Sequence, residues 1–239
     1  MKDMLTLMRF DFMLVRSIAL PVLVAAVLLL TLGSLLLTPY AACYLVAIVA
    51  TMFIVPLMGS EDRNGFSKLY GILPVTRQSI PRARFLYIFL LCLTTEAYSV
   101  LIAALSHALQ LVRYMPGQDS PMIVMARKAF EDPVTTPVGT CVGTFLIIVI
   151  AFSYMEMMGQ LLGRENEFKV ILITLAVLTA LTFAFLHLVD LGVIEPRLPE
   201  LPATLAFRIP LWLGLNLAAG AIVAVFGGIT AARVSVREL

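Results

Sequence analysis

The residues of this chain that could do chemistry in water are concentrated in one polar insert between two long apolar stretches. The insert runs from Ser60 to Arg84, and the preceding run from Ser17 to Ser60 has no charged side chain. Two acidic residues are followed there by five basic ones: Glu61, Asp62, Arg63, Lys68, Arg77, Arg82 and Arg84. An abrupt change from apolar to charged residues is typical of the place where a chain leaves the hydrocarbon core of a lipid bilayer. The insert is therefore the best candidate for contact with a partner in water.

A two-turn amphipathic helix is predicted inside this insert. Phe66, Leu69, Tyr70 and Leu73 recur at i, i+3, i+4 and i+7, which places them on one helical face, and Pro74 ends the pattern. An isolated helix this short is marginal in water, so it needs a surface to lie on. The spacing leaves two surfaces open: the lipid interface, or a hydrophobic groove on a cytoplasmic partner protein.

Ionisable side chains also occur inside the apolar stretches, where burying a charge in lipid costs about 2.5 to 3.5 kcal/mol. Glu96 lies near the middle of its stretch, and Ser99 and His107 follow on nearly the same side. This polar stripe could line a translocation path or a subunit interface, or Glu96 could be protonated and satisfied by a neighbouring helix. His107 shows no metal-ligand spacing, so we expect a structural role for it. Glu156 lies near the end of its stretch, where snorkelling or pairing with Arg164 is easy.

The last apolar stretch carries a repeated pattern of small residues. Asn216, Gly220, Ala224, Gly228 and Ala232 recur every four residues. Small side chains at this spacing allow another helix to approach closely, and Asn216 could form a hydrogen bond across the contact. The pattern favours helix packing, either inside one subunit or between subunits.

No motif of a hydrolase, a metal site or a nucleotide-binding loop is present. The sequence lacks Gly-x-x-x-x-Gly-Lys-Ser/Thr, His-Glu-x-x-His, Gly-x-Ser-x-Gly and Cys-x-x-Cys. Glu96 and Glu156 have no evident nucleophile or base beside them. We therefore expect no catalytic residue, no metal ligand and no bound cofactor, and we predict that Cys43, Cys92 and Cys141 are buried thiols.

The elements that position these residues are apolar helices. The chain has 239 residues, of which 61% are hydrophobic and 13% charged, and its mean hydropathy is +0.99, far from the composition of a soluble domain. We predict an all-α polytopic membrane protein that forms a single transmembrane domain over residues 1–239. Six stretches meet the length of about 20 apolar residues that a span needs: 18–37, 40–58, 85–109, 138–158, 170–189 and 211–232. Residues 1–17 would form an amphipathic interfacial arm, and residues 60–84 a cytoplasmic loop.

The distribution of basic residues predicts the orientation. Twelve of the 17 lysines and arginines fall on one side: Lys2, Arg9, Arg16, Arg63, Lys68, Arg77, Arg82, Arg84, Arg164, Lys169, Arg233 and Arg237. The other side holds Arg113, Arg127, Lys128, Arg197 and Arg208. Because basic residues favour the cytoplasmic side, both termini and the insert are expected in the cytoplasm of a cell that carries this chain in its plasma or inner membrane. On the outer side, a helical pattern that begins at Ser120-Pro121 predicts a short surface helix.

The features of the insert follow one another in a distinctive order. An acidic pair, Glu61 and Asp62, precedes the short amphipathic helix, which is followed by Leu73-Pro74-Val75-Thr76-Arg77 and by the basic segment Arg82-Ala83-Arg84-Phe85. This arrangement resembles the small permease subunits of type 2 ATP-binding-cassette exporters. The match at the level of residues covers about 61–85, and the six-span plan covers the whole chain. Gly71 and Pro81 depart from the family pattern, which affects the expected helix boundaries of the insert.

This resemblance implies that the insert is a coupling helix that docks into a separate ATPase subunit, which would hold the ATP and Mg²⁺. The docking residues would be Glu61, Asp62, Phe66, Leu69, Tyr70, Leu73 and Arg77. It further implies a homodimer or heterodimer of permeases in the lipid bilayer that exports a peptide, an antibiotic or a lipid-like molecule, with no role for nucleic acid. The alternative is a membrane immunity or scaffold protein that has no ATPase partner and whose insert rests on lipid.

Overall fold

The computed structural model describes residues 2–63, 76, 78–114, 120–163, 166, 169, 172–177, 179, 183 and 204–236. These residues form helices and short turns, with no β-strand among them. Four helical segments within this part are long and apolar enough to cross a membrane: Pro39–Met58, Ser79–Tyr114, Thr135–Leu162 and Arg208–Arg233. The all-helical class and these four of the six predicted apolar helices are confirmed. The first predicted span contains a shorter apolar segment, Leu23–Leu36, and the fifth, 170–189, falls largely outside the described residues.

Six helices have defined bounds: α1 (Lys2–Leu36), α2 (Tyr44–Arg63), α3 (Ser79–Leu109), α4 (Pro121–Lys128), α5 (Thr135–Leu162) and α6 (Leu205–Val236). Two 3₁₀ turns, Pro39–Cys43 and Leu111–Tyr114, follow α1 and α3, and residues 172–177 are also helical. Helix α3 ends because Gln110 adopts a left-handed conformation with φ of 47°. Helix α4 is the short helix predicted after Ser120, with Pro121 in its first turn.

The predicted boundary between an interfacial arm and a first span is not a break in the helix. Helix α1 runs from Lys2 to Leu36 and contains Pro21. Leu7 and Val15 are buried in its first half, because Leu7 packs against Ala83 at the start of α3 and Val15 joins a cluster with Tyr87. The arm therefore finds a protein surface on α3 for part of its apolar face.

Helix α3 is the centre of the bundle. It contacts α1, α2, α5 and α6. The main core lies around its first half, where Ile88 meets Ile54 from α2, Phe145 and Val149 from α5, and Val223 from α6. A side chain on α3 can thus reach any of four neighbouring helices.

The two ends of the bundle are distinct in charge. One end of the bundle holds the first half of α1, the end of α2, the start of α3 and the ends of α5 and α6. We call it the basic end, because these segments carry seven described basic residues: Lys2, Arg9, Arg16, Arg63, Arg82, Arg84 and Arg233. Met58, Phe85 and Met157 share one cluster there. At the opposite end, the Ser106 hydroxyl of α3 donates to the Ser34 carbonyl of α1. The antiparallel order brings most of the described basic residues together.

The bundle exposes large apolar side chains on its outside and buries charged ones inside. Leu29, Ile147 and Leu217 are exposed by 70%, 70% and 77%. Charged residues lie inside, since Arg84 and Glu156 are only 2% and 0% exposed. Such an arrangement is stable where the exterior faces lipid and the interior satisfies the polar groups.

Candidate functional site

Two charged side chains are buried on α3, and they face different neighbours. Arg84 lies near the start of the helix and Glu96 lies 12 residues later, with exposures of 2% and 3%. In an α-helix this separation is about 18 Å along the axis and about 120° around it. The two groups therefore contact different helices at different depths.

Arg84 forms a buried ion pair with Glu156 of α5. Its Nη1 atom lies 3.0 Å from Glu156 Oε1, and the side-chain amide of Gln160, one turn later on α5, donates to the same oxygen. Removing one partner of a buried ion pair leaves an uncompensated charge inside the protein, so the loss of either residue is strongly destabilising. The pair fixes the start of α3, where the insert ends, to the last turns of α5.

This pairing corrects one interpretation of the sequence. The sequence groups Arg84 with Arg82 in the basic segment beside the insert, whereas the structure exposes Arg82 and buries Arg84 against Glu156. The physical reason is helical geometry, because residues two apart point about 200° away from each other. The pairing of Glu156 with Arg164 stays a prediction, because Arg164 lies outside the described residues.

The second buried group, Glu96, is held by Asn216 of α6. The Asn216 Nδ2 atom donates to both carboxyl oxygens, at 3.0 Å to Oε1 and 2.9 Å to Oε2. The Asn216 Oδ1 atom is buried and accepts no hydrogen bond within the described part of the chain. Two residues that the sequence marks separately are thus one contact between α3 and α6, which fits the reading of Glu96 as a carboxyl satisfied by a neighbouring helix.

The hydroxyl groups near Glu96 do not extend this contact. Thr95 donates to the Leu91 carbonyl and Ser99 to the Thr95 carbonyl, each at 2.8 Å. Both bonds are local to α3 and satisfy buried hydroxyls in an apolar setting. Around Glu96, the polar stripe therefore consists of one interhelical pair flanked by hydroxyl groups that bond to their own helix.

His107 takes part in a polar contact at the opposite end of the bundle. Its Nε2 atom lies 2.9 Å from the Asp132 carbonyl oxygen, and its ring packs at a tilt against Phe130 with centroids 6.3 Å apart. The Tyr40 hydroxyl donates to Asp132 Oδ2 at 2.6 Å. These contacts tie the segment before α5 to α3 and to the turn after α1. No periodicity in the sequence could identify Tyr40 and Asp132 as partners.

The small residues of α6 divide into two groups. A Cβ atom on Gly220 would lie 3.1 Å from the Phe89 ring of α3, so this glycine permits a close contact together with Asn216. A Cβ atom on Gly228 would meet nothing within 4 Å, and Ala224 and Ala232 are exposed. A strict four-residue spacing drifts by about 40° per step around a helix of 3.6 residues per turn, so its later members leave the α3 contact.

The proposed docking residues lie mostly beyond what the structure describes. Glu61 and Asp62 belong to the last turn of α2. Phe66, Leu69, Tyr70, Leu73 and Arg77 fall outside the described residues. What is described is the frame of the insert, namely the end of α2 and the start of α3.

Among the described residues, the remaining reactive side chains form no disulfide and no metal-binding cluster. Cys43, Cys92 and Cys141 are buried free thiols. No group of three His, Cys, Asp or Glu residues within the described part could hold a metal ion. In comparisons with known proteins, no family model, no curated protein and no solved structure matches this chain.

Proposed function

We propose that the chain is the transmembrane permease subunit of a type 2 ATP-binding-cassette exporter. In this proposal it spans the plasma or inner membrane six times, with both termini and the insert in the cytoplasm. A separate ATPase subunit binds and hydrolyses ATP beneath a pair of permeases. The exported molecule is a peptide, an antibiotic or a lipid-like compound.

The observation that carries this proposal is the ion pair between Arg84 and Glu156. A coupling element must transmit movement from the cytoplasm into the membrane without local bending. The insert leads into α3 at Ser79, and five residues later Arg84 is fixed to α5 at 3.0 Å. A displacement of the insert would thus move α3 and α5 together, and α3 contacts four helices of the bundle.

The mechanism follows from this connection. ATP binding closes the two ATPase subunits, and the insert helix follows the surface on which it is seated. The attached helices then shift as rigid bodies, and the permease pair changes between inward and outward access. Glu61 and Asp62, in the last turn of α2, provide the second attachment of the insert to the bundle.

The decisive experiment places charge on the docking face of the insert. We expect Leu69→Asp with Tyr70→Asp to abolish co-purification with the ATPase subunit and to stop transport, because unpaired charge in an apolar groove costs a few kcal/mol. Membrane insertion should be unchanged, since the insert lies outside the predicted spans. Lys68→Asp is the matched control, because the periodicity puts Lys68 on the opposite side of the predicted helix.

Two outcomes would contradict the proposal. A double variant that still captures the ATPase and couples hydrolysis to export would remove the insert from the coupling role. A wild-type protein that captures no ATPase would favour the alternative, an immunity or scaffold protein whose insert rests on lipid.

A further inference from the structure

A groove of about 400 Å³ opens between α3 and α6 near the basic end of the bundle, and Met4 of α1 also lines it. We call it the α3–α6 groove. Gly228 of α6 lines it, and a Cβ atom on this glycine would meet nothing within 4 Å. Ala224, one turn earlier, also lines the groove and is exposed. These small residues leave room beside α6, and the volume falls within the range of about 300 to 1,000 Å³ typical of ligand pockets.

The lining of the groove changes from charged to apolar along α3. Arg82 lies just outside the predicted span 85–109, whereas Leu86 and Phe89 lie inside it. Arg82 and Phe89 are about 10 Å apart along the helix axis, at 1.5 Å per residue. At the deep end the Phe89 ring lies against Gly220 of α6, 3.1 Å from an added Cβ atom. The groove therefore runs from the membrane interface into the predicted hydrocarbon region.

The charge at the interface end favours an anionic ligand. Among the described residues that line the groove, Arg82 is the one cation and none carries a carboxylate. Arg82 is exposed and forms no hydrogen bond or ion pair with any described residue, in contrast to Arg84, which is paired with Glu156. Its guanidinium therefore keeps its N–H donors available, and their planar fork matches a phosphate group.

Two occupants could cover an apolar groove of this kind, namely a second copy of the chain or a lipid. In a twofold dimer the same surface meets itself. The described lining of a second α3–α6 groove would then bring another Arg82 and no carboxylate. A phospholipid brings an anionic phosphate together with a hydrocarbon chain, so it complements both ends of the groove.

We propose that the α3–α6 groove binds an anionic phospholipid from the leaflet at the basic end. Its phosphate contacts the Arg82 guanidinium, and one acyl chain passes Gly228 and Ala224 toward the Phe89 ring. This binding is a property of the chain itself and stands apart from the proposed partnership with an ATPase.

Native mass spectrometry of the full-length protein in a neutral detergent tests this proposal, because it counts the lipid molecules that stay bound. Phosphatidylglycerol and phosphatidylcholine with identical acyl chains are titrated separately. We expect the first phosphatidylglycerol to bind about fivefold more tightly than the first phosphatidylcholine, the gain that one basic residue near an anionic headgroup provides.

Two variants of Arg82 test the contact with the headgroup. Arg82→Gln should remove the preference for phosphatidylglycerol, whereas Arg82→Lys should retain most of it. Because Arg82 has no partner among the residues that the structure describes, both variants should unfold at the temperature of the wild type in detergent without added lipid.

Two glycine variants test the path of the acyl chain. Gly228→Leu fills open space inside the groove and should lower the affinity for phosphatidylglycerol to that for phosphatidylcholine. Gly214→Leu makes the same change elsewhere on α6, where a Cβ atom also meets nothing within 4 Å, and should bind lipid like the wild type. If Gly228→Leu fails to fold, Ala224→Leu fills the groove from an exposed position and gives the same comparison.

Equal affinity of the wild type for the two lipids would overturn the proposal. Unchanged binding of phosphatidylglycerol by a folded variant with a filled groove would do the same, because the chain would then lie elsewhere. A wild-type dimer that Gly228→Leu separates into monomers, without any lipid preference, would assign the groove to a second copy and also overturn the lipid proposal.

Discussion

The two buried pairs of α3 differ in what the loss of one partner leaves behind. Arg84 and Glu156 are opposite charges, so removal of one leaves a net charge inside the bundle. Glu96 and Asn216 are joined by donation from an amide, so removal of one leaves a polar group without its partner. The first loss costs about 3 to 5 kcal/mol in folded proteins, and interhelical hydrogen bonds in membranes average about 0.6 kcal/mol. The two contacts should therefore respond very differently to mutation.

For the ion pair, we expect Arg84→Leu to lower the stability of the bundle by about 3 to 5 kcal/mol, because Glu156 is left buried without its cationic partner. The folded fraction after heating in detergent, followed by gel filtration, measures the loss. Arg82→Leu is the matched control, since Arg82 is exposed two residues earlier and its replacement should have little effect.

A second variant tests whether charge is the cause. Combining Arg84→Leu with Glu156→Leu removes both charges and should recover part of the lost stability. Equal losses in the single and double variants would show that Arg84 acts through its volume and its other contacts.

For the second pair, we expect Glu96→Gln to be tolerated and Glu96→Ala to cost about 1 kcal/mol. A glutamine carbonyl can still accept from Asn216 Nδ2, and its amide can donate to the buried Oδ1 atom, which accepts no bond in the described residues. A double-mutant cycle with Asn216→Ala, measured by thermal unfolding in detergent, should give a coupling energy well above zero for Glu96→Ala.

Under the proposed function, export provides a separate readout for the same carboxyl group. A Glu96→Gln protein that is stable and exports normally supports a structural role for Glu96. Loss of export at unchanged membrane abundance would instead give its charge a role in the transport path, because the amide keeps the shape and removes the charge.

At the scale of the elements, α6 is held to α3 by glycine contacts as well as by the Asn216 bond. The Gly220 position meets the Phe89 ring and the Gly227 position meets the Phe85 side chain, at 3.1 and 3.3 Å for an added Cβ atom. Both contacts lie on the face of α6 that also buries Ala219 and Val223. The face of α6 that contacts α3 therefore depends on glycines that let the two helix backbones approach each other closely.

We expect Gly220→Val to destabilise the bundle by about 1 to 3 kcal/mol, because the added carbons displace the Phe89 ring. Gly228→Val, eight residues later on the same helix, places its Cβ atom in open space and should change stability little. Thermal unfolding of the two variants in the same detergent gives the comparison. Equal stability of both would mean that α3 and α6 separate easily at this point.

Sequence patterns predicted the elements well and their partners poorly, for a physical reason. The length of an apolar run determines whether a helix can cross a membrane, and this property is local, so four of the predicted spans could be read directly. Periodicity places Glu96 and Asn216 on faces of their own helices. The hydrogen bond between Glu96 and Asn216, however, joins residues 120 positions apart in the sequence. The ion pair between Arg84 and Glu156 joins residues 72 positions apart. Which helix faces which is decided by packing of the whole bundle.

At the scale of the whole molecule, the charge difference between the two ends predicts the orientation. The described segments of the basic end carry seven basic residues, whereas those of the opposite end carry four. The seven are Lys2, Arg9, Arg16, Arg63, Arg82, Arg84 and Arg233, and the four are Arg113, Arg127, Lys128 and Arg208. The bias of the complete chain comes also from basic residues of the insert and the tail. Since basic residues near the ends of spans stay in the cytoplasm, the basic end should face inward.

The accessibility of single cysteines tests this orientation. In a background that lacks Cys43, Cys92 and Cys141, an impermeant thiol reagent applied to intact cells should label cysteines placed at Ser120 and Thr204, which are exposed at the end opposite the basic end. A cysteine at Gln78, exposed just before α3, should be labelled only after the cells are opened. Labelling of the Gln78 position from outside would reverse the bundle in the membrane. The insert would then be separated from any cytoplasmic ATPase, and the coupling proposal would fail with the orientation.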